Sequence, residues 1–456
     1  MLPDNALLEI FDFYEVDLGE TRDADIGWIW SQWWKKLIQV CRRWRGIILS
    51  SPRRLNLRVI CTNNTPTRTL LDIWPLFPVV IRCRSPQMVD EEGVENIIAA
   101  VEHPDRISQI LIHQINGRAW ERLSAAMNKS FPNLTAFALR LPNDDSAPVL
   151  PETFLGGSAP RLRILGLNDA GFPSFPKFIL SSTLIRHIWN LDIPTSGYIS
   201  PEEMVNCLAA LPSLDYLSFG FRSPLSRPLR TTRPHLTRLV LPALARLRFS
   251  GVSEYFEDFI ARIDTPRLYK LSIEFFMDII FDIPRLRDFV CCTEWLKSPR
   301  QAIVSFSRPA IKIQLESPRF NLDIRCERPD WQLSSITQVF DQQLPLLSCV
   351  ERLTIRERRW PHIKWKDDPD MDPSQWLELF RLFIFARNLH VSKGLVPHVG
   401  AALLELNRGE VMEVLPVLVN LYLEGHEPSG SMQEGIKSFV TSRQLSDQPV
   451  IVRRWE

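Results

Sequence analysis

The feature that most constrains this chain is a short motif, a proline followed two residues later by leucine, which recurs along most of its length. The prolines of these copies are Pro132, Pro160, Pro212, Pro242, Pro266, Pro284 and Pro416. Several copies continue as Leu-x-x-Leu-x-Leu, the alternation typical of a half-buried strand. Proline fixes φ and lacks a backbone N–H donor, so it ends the preceding helix or loop, and a strand can begin directly after it. We therefore expect each copy to open one strand.

The spacing of these copies indicates a repeat architecture. The leading apolar residues stand at 134, 162, 185, 214, 244, 268 and 286, which are 28, 23, 29, 30, 24 and 18 positions apart. Leucine-rich repeats run to about 20–29 residues each. Segments 202–210, 254–263 and 334–343 read as helices between strands. Neither element covers its apolar face alone, so the units must stack.

The predicted fold is therefore α/β, an irregular leucine-rich-repeat solenoid with the shape of a horseshoe, spanning residues 59–456. A conventional doubly wound sheet stays open as the alternative, disfavoured because its strands would share this motif less uniformly. Within the solenoid we predict strands at 54–61, 79–84 and 107–112, a helix at 88–102, a β-rich segment at 302–326, an exposed loop at 356–373 and a capping strand at 449–455. Cys291 and Cys292 are predicted to end an apolar strand.

The first 58 residues have a different pattern, that of two amphipathic helices. The first apolar face is formed by Leu7, Ile10, Phe11 and Tyr14, and the second by Trp34, Leu37, Ile38, Cys41, Trp44 and Ile48. Residues 1–34 carry eight acids against Arg22 alone, whereas residues 35–58 carry eight basic residues and no acid. Such charges favour an internally neutralised helical pair over a nucleic-acid surface, because an acidic neighbour opposes phosphate binding.

Three features of this region occur in order: Leu2-Pro3, the apolar positions of the first helix, and Val40-Cys41-Arg42-Arg43-Trp44-Arg45. In these residues the chain resembles the F-box family. Residues 50–58 and 69–75 also resemble the extended F-box-like proteins of mushroom-forming fungi. The F-box resemblance implies an F-box-like module at 1–58 that docks the adaptor subunit of an SCF-type cullin ubiquitin ligase. The adaptor contacts implied are Leu2, Pro3, Leu7, Leu8, Ile10, Phe11, Val40, Cys41 and Trp44. The segment from Ile10 to Val40 is longer than is usual in the family.

The remaining sequence argues against an enzyme. It contains no G-x-G-x-x-G, P-loop, H-E-x-x-H or G-x-S-x-G motif, and its eight cysteines include no CxxC pair. A net charge of +1 over 456 residues favours no nucleic-acid partner, and no apolar run is long enough to span a membrane. We expect a non-catalytic protein without cofactor or metal, located in the cytoplasm, the nucleus or both, with reduced thiols.

The function predicted is thus that of the substrate-recognition subunit of the ligase, whose solenoid binds an unidentified protein. The strand period of two places Arg140, Trp189, Arg248, Glu274, Arg356 and Glu424 outward on the concave face as substrate contacts. Two other functions stay open. One is a ligase-independent binding scaffold, which the lengthened segment between the helices favours, and the other is an unrecognised hydrolase.

Overall fold

The computed structural model gives the conformation of most of the chain. It describes residues 2–19, 34–52, 54–74, 77–83, 90–113, 115–141, 150–151, 153–169, 179, 182–194, 197–222, 238–276, 283–293, 298–307, 310–316, 319–326, 329–342, 346–357, 372–406, 410–425 and 431–455. By its internal contacts the chain divides into two compact units, Met1–Ile199 with Ala210–Leu214, and Ser200–Ala209 with Asp215–Glu456. The boundary predicted at residue 58 lies within the first unit.

The first unit begins with three helices, α1 (Asp4–Gly19), α2 (Trp34–Leu37) and α3 (Arg42–Ser50). The single second helix predicted from the apolar face between Trp34 and Ile48 is therefore wrong in extent, because the structure has two helices there, α2 and α3. Cys41 has extended backbone (φ −158°, ψ 167°) and caps α3, its Sγ accepting the Trp44 N–H at 3.4 Å. Val40 and Cys41 therefore precede α3 instead of lying on a helical face.

Contacts between α1 and α3 hold the helical module together. The rings of Phe11 and Trp44 meet edge to face at 5.0 Å, and Arg43 donates to Asp4 at 2.6 Å. Arg54 pairs with Glu9 at 2.5 Å. These pairs join the acidic first helix to the basic segment, as the charge pattern predicts. Because they are exposed, each adds little stability, and the apolar contact carries more of it.

Trp34 connects this module to the repeats that follow. Its side chain is 1% exposed, and its ring stands edge to face against Trp74 at 5.1 Å and Phe77 at 5.4 Å. The Trp34 Nε1–H donates to the Arg58 carbonyl at 3.3 Å. Arg106 donates to the carbonyls of Trp74 and Phe77 and so fixes the segment that carries both rings.

The rest of the first unit alternates strands and helices. Its strands are β1 (Val59–Cys61), β2 (Val79–Cys83), β3 (Ile107–His113), β4 (Ala136–Arg140), β5 (Ile164–Asn168) and β6 (His187–Ile193), and each pairs in parallel with the next. The helices among them are α4 (Thr67–Ile73), α5 (Glu91–Val101) and α6 (Gly117–Ala126). Asp90 and Asn116 cap α5 and α6 with their side chains, which satisfies N–H groups that the helices leave unpaired.

The proline motif forms a turn that comes before each strand. The N–H of Leu134 donates to the carbonyl of Phe131, the residue before Pro132, and the same bond recurs at Leu162, Leu214, Leu244, Leu268 and Leu418. Proline thus takes the second position of a β-turn, where its fixed φ is favoured. The leucine itself is buried, and the strand begins two residues beyond it. Our prediction that the leucine opens the strand is therefore wrong by two positions.

Pro284 is the exception among these copies. It stands at the start of a helix (Pro284–Cys292), where its missing N–H would have no intrahelical partner in any case. Cys291 and Cys292 end this helix, so the strand predicted there is wrong. An apolar run of this length satisfies either period, which is why the sequence pattern did not separate the two.

The second unit continues the alternation of helices and strands. Its helices are α7 (Pro201–Leu208), α8 (Ser253–Ala261), α9 (Pro284–Cys292), α10 (Pro329–Gln342), α11 (Pro373–Arg381), α12 (Val396–Leu404) and α13 (Ser431–Leu445). Its strands are β7 (Tyr216–Phe221), β8 (Leu239–Val240), β9 (Arg246–Gly251), β10 (Ile263–Asp264), β11 (Lys270–Phe275), β12 (Gln301–Ser307), β13 (Ala310–Leu315), β14 (Phe320–Arg325), β15 (Arg352–Glu357), β16 (Asn388–Val391), β17 (Asn420–Glu424) and β18 (Ile451–Trp455). The predicted β-rich segment and the final strand are both present.

The strand order of the second unit departs from chain order once. Its main sheet runs β7-β9-β11-β14-β13-β12-β15-β16-β17-β18. Strands β12, β13 and β14 form an antiparallel meander, whereas β14 joins β11 and β12 joins β15 in parallel. The short strands β8 and β10 form a separate pair. The mixed α/β repeat architecture is thus as predicted, while the horseshoe curvature stays a prediction.

One face of each sheet packs against the helices and forms the core. Phe249 stacks on Phe256 of α8 at 4.8 Å, and Phe219 meets Phe259 at 5.1 Å. In the first unit Phe137 meets Phe154 at 5.4 Å. Because side chains alternate along a strand, the intervening residues lie on the opposite face, which we call the open face.

Candidate binding surfaces

The helical module exposes several apolar side chains. Leu2 is 54% exposed, Ile10 46% and Val40 59%, and Pro3 and Cys41 are exposed as well. Arg43, in the first turn of α3, donates to the Leu2 carbonyl at 2.5 Å. Leu2, Pro3, Val40 and Cys41 therefore lie at one end of the helix pair. We call Leu2, Pro3, Ile10, Val40 and Cys41 the N-terminal apolar patch.

The other predicted adaptor contacts lie inside the module. Leu7, Leu8 and Phe11 are 5%, 8% and 1% exposed, and Trp44 is half-buried against Phe11. In this conformation they support the patch instead of presenting surface. Their assignment as adaptor contacts stays a prediction, because an apolar stripe at helical spacing is the same for a core and for an interface.

The open face of the first unit has an apolar centre. The strand registers align Arg82, Leu111, Ala138, Gly166 and Trp189 in one row from β2 to β6. The Trp189 indole covers Gly166 so closely that a Cβ there would overlap the ring. It also packs against Leu111 and Ala138, which are 5% and 3% exposed. Only glycine leaves the space that the indole occupies.

Polar and basic residues surround this centre. The neighbouring rows hold Gln109, Ala136, Ile164 and His187 on one side and His113, Arg140, Asn168 and Leu191 on the other. Arg140 is exposed, and Arg82 and Trp189 are half-buried. The structure therefore brings two predicted contacts, Arg140 and Trp189, onto one surface. Sequence analysis missed Arg82, Leu111, Ala138 and Gly166, although the small residues at alternate positions of β4 and β5 were a signal.

The open face of the second unit is polar and largely self-paired. Glu274 accepts from Arg325 at 2.6 Å and lies 3.9 Å from Arg248, while Lys312 pairs with Asp323 at 3.0 Å. Amide and hydroxyl groups continue the ladder, with Gln314 donating to Asn321 at 2.8 Å and Asn321 donating to Ser272 at 3.0 Å. The predicted contacts Arg248 and Glu274 thus face each other.

The other predicted contacts of this unit also have intramolecular partners. Arg356 donates to Ser305 at 3.1 Å and to Gln314 at 3.4 Å. Glu424 accepts the Lys393 N–H at 3.1 Å. Burial, helped by the charge of Glu424, raises the pKa of Glu357 at the end of β15. The predicted loop at 356–373 lies mostly outside the described residues.

The C-terminal strands add an aromatic cluster to this face. His390 stacks on Tyr422 at 4.2 Å with the rings nearly parallel, and Trp455 stands against His390 at 5.3 Å. Burial and the nearby Arg352 lower the pKa of His390, which favours the neutral imidazole that stacks on Tyr422. Sequence analysis missed this cluster because its members lie on three different strands.

Thiol chemistry follows burial along the chain. All eight cysteines are free, and burial raises the pKa of Cys61 to about 11 and that of Cys83 to about 12.

At pH 8 we expect an alkylating reagent to label the exposed Cys41, Cys291 and Cys292 within minutes and to leave Cys61 and Cys83 unlabelled until denaturation, because the thiolate is the nucleophile. Peptide mass spectrometry measures this. Equal labelling of all eight in the folded protein, or a disulfide in fresh material, would contradict it.

Within the part of the chain that the structure describes, no three His, Cys, Asp or Glu side chains gather as metal ligands would. The helices described there are all too short or too polar to cross a bilayer.

Comparison with known proteins gives little guidance. No protein-family model matches the chain, and no curated protein matches it. Among solved structures it is similar to LegL7, a leucine-rich repeat-containing protein from Legionella pneumophila. The two are 13% identical, and the match covers 72% of this chain and 95% of that one at a TM-score of 0.29. So loose an overlap cannot assign the fold, which rests on the turns and strand pairing given above.

Proposed function

We propose that the chain is the non-catalytic substrate receptor of an SCF-type ubiquitin ligase, in which the helical module docks the adaptor and the repeats hold a protein substrate. The observation that carries this proposal is the N-terminal apolar patch. Leu2, Ile10 and Val40 are each about half exposed, next to a helix pair whose own core is already filled by Phe11 and Ile48. Apolar side chains grouped in this way mark a protein interface.

The partner assignment comes from the F-box resemblance of these same residues. Leu2-Pro3, Ile10 and the Val40-Cys41 pair are the apolar parts of the motif that are exposed. A docked adaptor would cover them and gain apolar burial, and a few such anchors carry most of the binding energy at an interface. The repeats supply a separate surface for the substrate.

The proposal predicts a specific loss of adaptor binding. Replacing Leu2 and Val40 together with aspartate should weaken capture of the recombinant adaptor by at least about 2 kcal/mol, roughly 30-fold in Kd, because it charges the centre of the patch. The measurement is a binding titration with the full chain. Ile73→Asp with Leu184→Asp makes a matched control, since these residues are 59% and 44% exposed elsewhere in the same unit.

Thermal unfolding of both variants checks that they fold. Unchanged adaptor affinity in a folded Leu2→Asp/Val40→Asp protein would falsify the docking assignment. Absence of adaptor binding by the unmodified chain would instead favour the ligase-independent scaffold, in which the repeats still bind a partner.

A further inference from the structure

The open face of the first unit carries a tryptophan and two arginines, Trp189, Arg82 and Arg140. The side chains of Arg82 and Arg140 form no hydrogen bond or ion pair with any residue that the structure describes. Both are accessible, with Arg140 exposed. A guanidinium that is not engaged within its own chain is available to pair with the carboxylate of another chain.

Acidic residues are scarce on this face. The three rows defined by the registers of β2 to β6 contain Arg82, Arg140, His113 and His187 but neither aspartate nor glutamate. The nearest acids along these strands are Asp169 and Asp192. Asp169 is 5% exposed, and both residues already have an interaction within the chain. The three rows therefore carry basic side chains with no carboxylate among them.

The second unit shows the contrast. Three of its open-face cations, Arg248, Arg325 and Lys312, face the carboxylates of Glu274 or Asp323. Because those groups are already paired, a partner that bound them would first have to break existing contacts. Among the residues that the structure describes, Arg82 and Arg140 have no such contact to break, so the first unit is the better surface for a charged partner.

The dimensions of the row set the length of the partner. From Arg82 to Trp189 the row crosses five strands, which at about 4.8 Å between neighbours spans roughly 19 Å. An extended peptide of about six residues covers this distance. Leu111 and Ala138 lie between the two ends and pack against the indole.

We propose that this face binds an acidic linear segment of the substrate protein, which lies across the strands with an apolar side chain on Trp189 and Asp or Glu carboxylates against Arg82 and Arg140. The inference rests on the proposed receptor function and names the chemical class of its substrate. The tryptophan supplies a rigid apolar anchor, and the arginines set the charge and direction of the peptide.

The test uses the full chain and a display library of random peptides of about ten residues, longer than the row. We expect enrichment of peptides that carry two or more Asp or Glu residues and, about four positions away on either side, Leu, Phe or Trp. A fluorescent synthetic peptide from the enriched set is then titrated against variants. Arg82→Glu with Arg140→Glu should weaken it at least about 30-fold and should improve a version of the peptide with Lys in place of the acids.

A matched variant controls for net charge. Arg68→Glu with Arg118→Glu makes the same change on α4 and α6, on the helix side of the same unit, and should alter the affinity by less than about threefold. Trp189→Ala should weaken binding at least about 30-fold. The gain for the Lys peptide is the decisive readout, because an unfolded variant cannot produce it.

Three outcomes would overturn the inference: enrichment of basic or uncharged peptides, equal effects of the two charge-reversal pairs, and binding only when phosphoserine replaces the acids. The adaptor titration separates this inference from the receptor function. Adaptor binding without peptide selectivity would leave the receptor function standing and remove the site, whereas peptide selectivity without adaptor binding would do the reverse.

Discussion

Replacing Trp34 with alanine is expected to lower the free energy of unfolding of the first unit by about 3–5 kcal/mol, the range for deleting a buried aromatic side chain. Trp34 is 1% exposed and contacts the rings of Trp74 and Phe77. Its loss also leaves the Arg58 carbonyl without the indole donor. The helical module and the first repeats would then lose their main shared contact.

Hydrogen exchange resolves this prediction by region. Exchange should rise over residues 34–113 and stay unchanged over 246–275, because local stability differs between parts of a chain that has two units. Phe385→Ala is the control, since that ring is 55% exposed. A Trp34→Ala protein that exchanges like the unmodified chain would show that the ring cluster is not a structural link.

Arg443 is expected to be nearly as sensitive, with Arg443→Ala costing about 3 kcal/mol in the second unit. The side chain is fully buried in α13, yet the structure describes no carboxylate beside it. Its guanidinium donates to the carbonyls of Leu415 at 3.2 Å and Pro416 at 2.8 Å and lies over the Phe439 ring. Burial lowers the pKa of Arg443, but arginine keeps its proton in proteins.

The cause of this sensitivity is the turn before β17. Leu415 has φ of +50°, which a branched side chain adopts only when its surroundings hold it. Without the guanidinium, the Pro416 carbonyl loses this donor and the Leu415 carbonyl keeps only the N–H of Leu418. Arg443→Lys should recover part of the loss, because an ammonium reaches one carbonyl more readily than two. Arg453→Ala, at an exposed site, should cost less than about 0.5 kcal/mol in chemical unfolding. Equal stability of the two alanine variants would contradict the prediction.

The sequence predicted the repeats because a proline-leucine motif and helical segments alternate along the chain, although at irregular intervals. It misplaced the strand starts because a buried leucine in a turn, such as Leu134, has the same apolar character as one in a strand. The sequence predicted α2 and α3 as one helix because the apolar spacing continues through Cys41 without a break. The extended backbone of Cys41, which separates the two helices, leaves no mark on that spacing.

The candidate surfaces show the same limit. Period-two alternation predicted that Arg140 and Arg248 would face outward, and both are exposed. Alternation cannot say which residues of different strands are neighbours, since that depends on register. The sequence therefore predicted Arg248 as a substrate contact, although its side chain faces Glu274 in the structure. It did not predict that the indole of Trp189 covers Gly166.

The antiparallel meander of β12 to β14 has a consequence for the order in which a ribosome delivers the sheet. Elsewhere a strand finds its parallel neighbour soon after synthesis, as Leu271 of β11 pairs with Leu247 of β9, 24 residues earlier. The other edge of β11 must wait for Phe320, 49 residues later. At about 5–20 residues per second that edge stays open for roughly 2–10 s. Lys270 and Glu274, whose charges discourage pairing with a stray strand, stand on β11 during that interval.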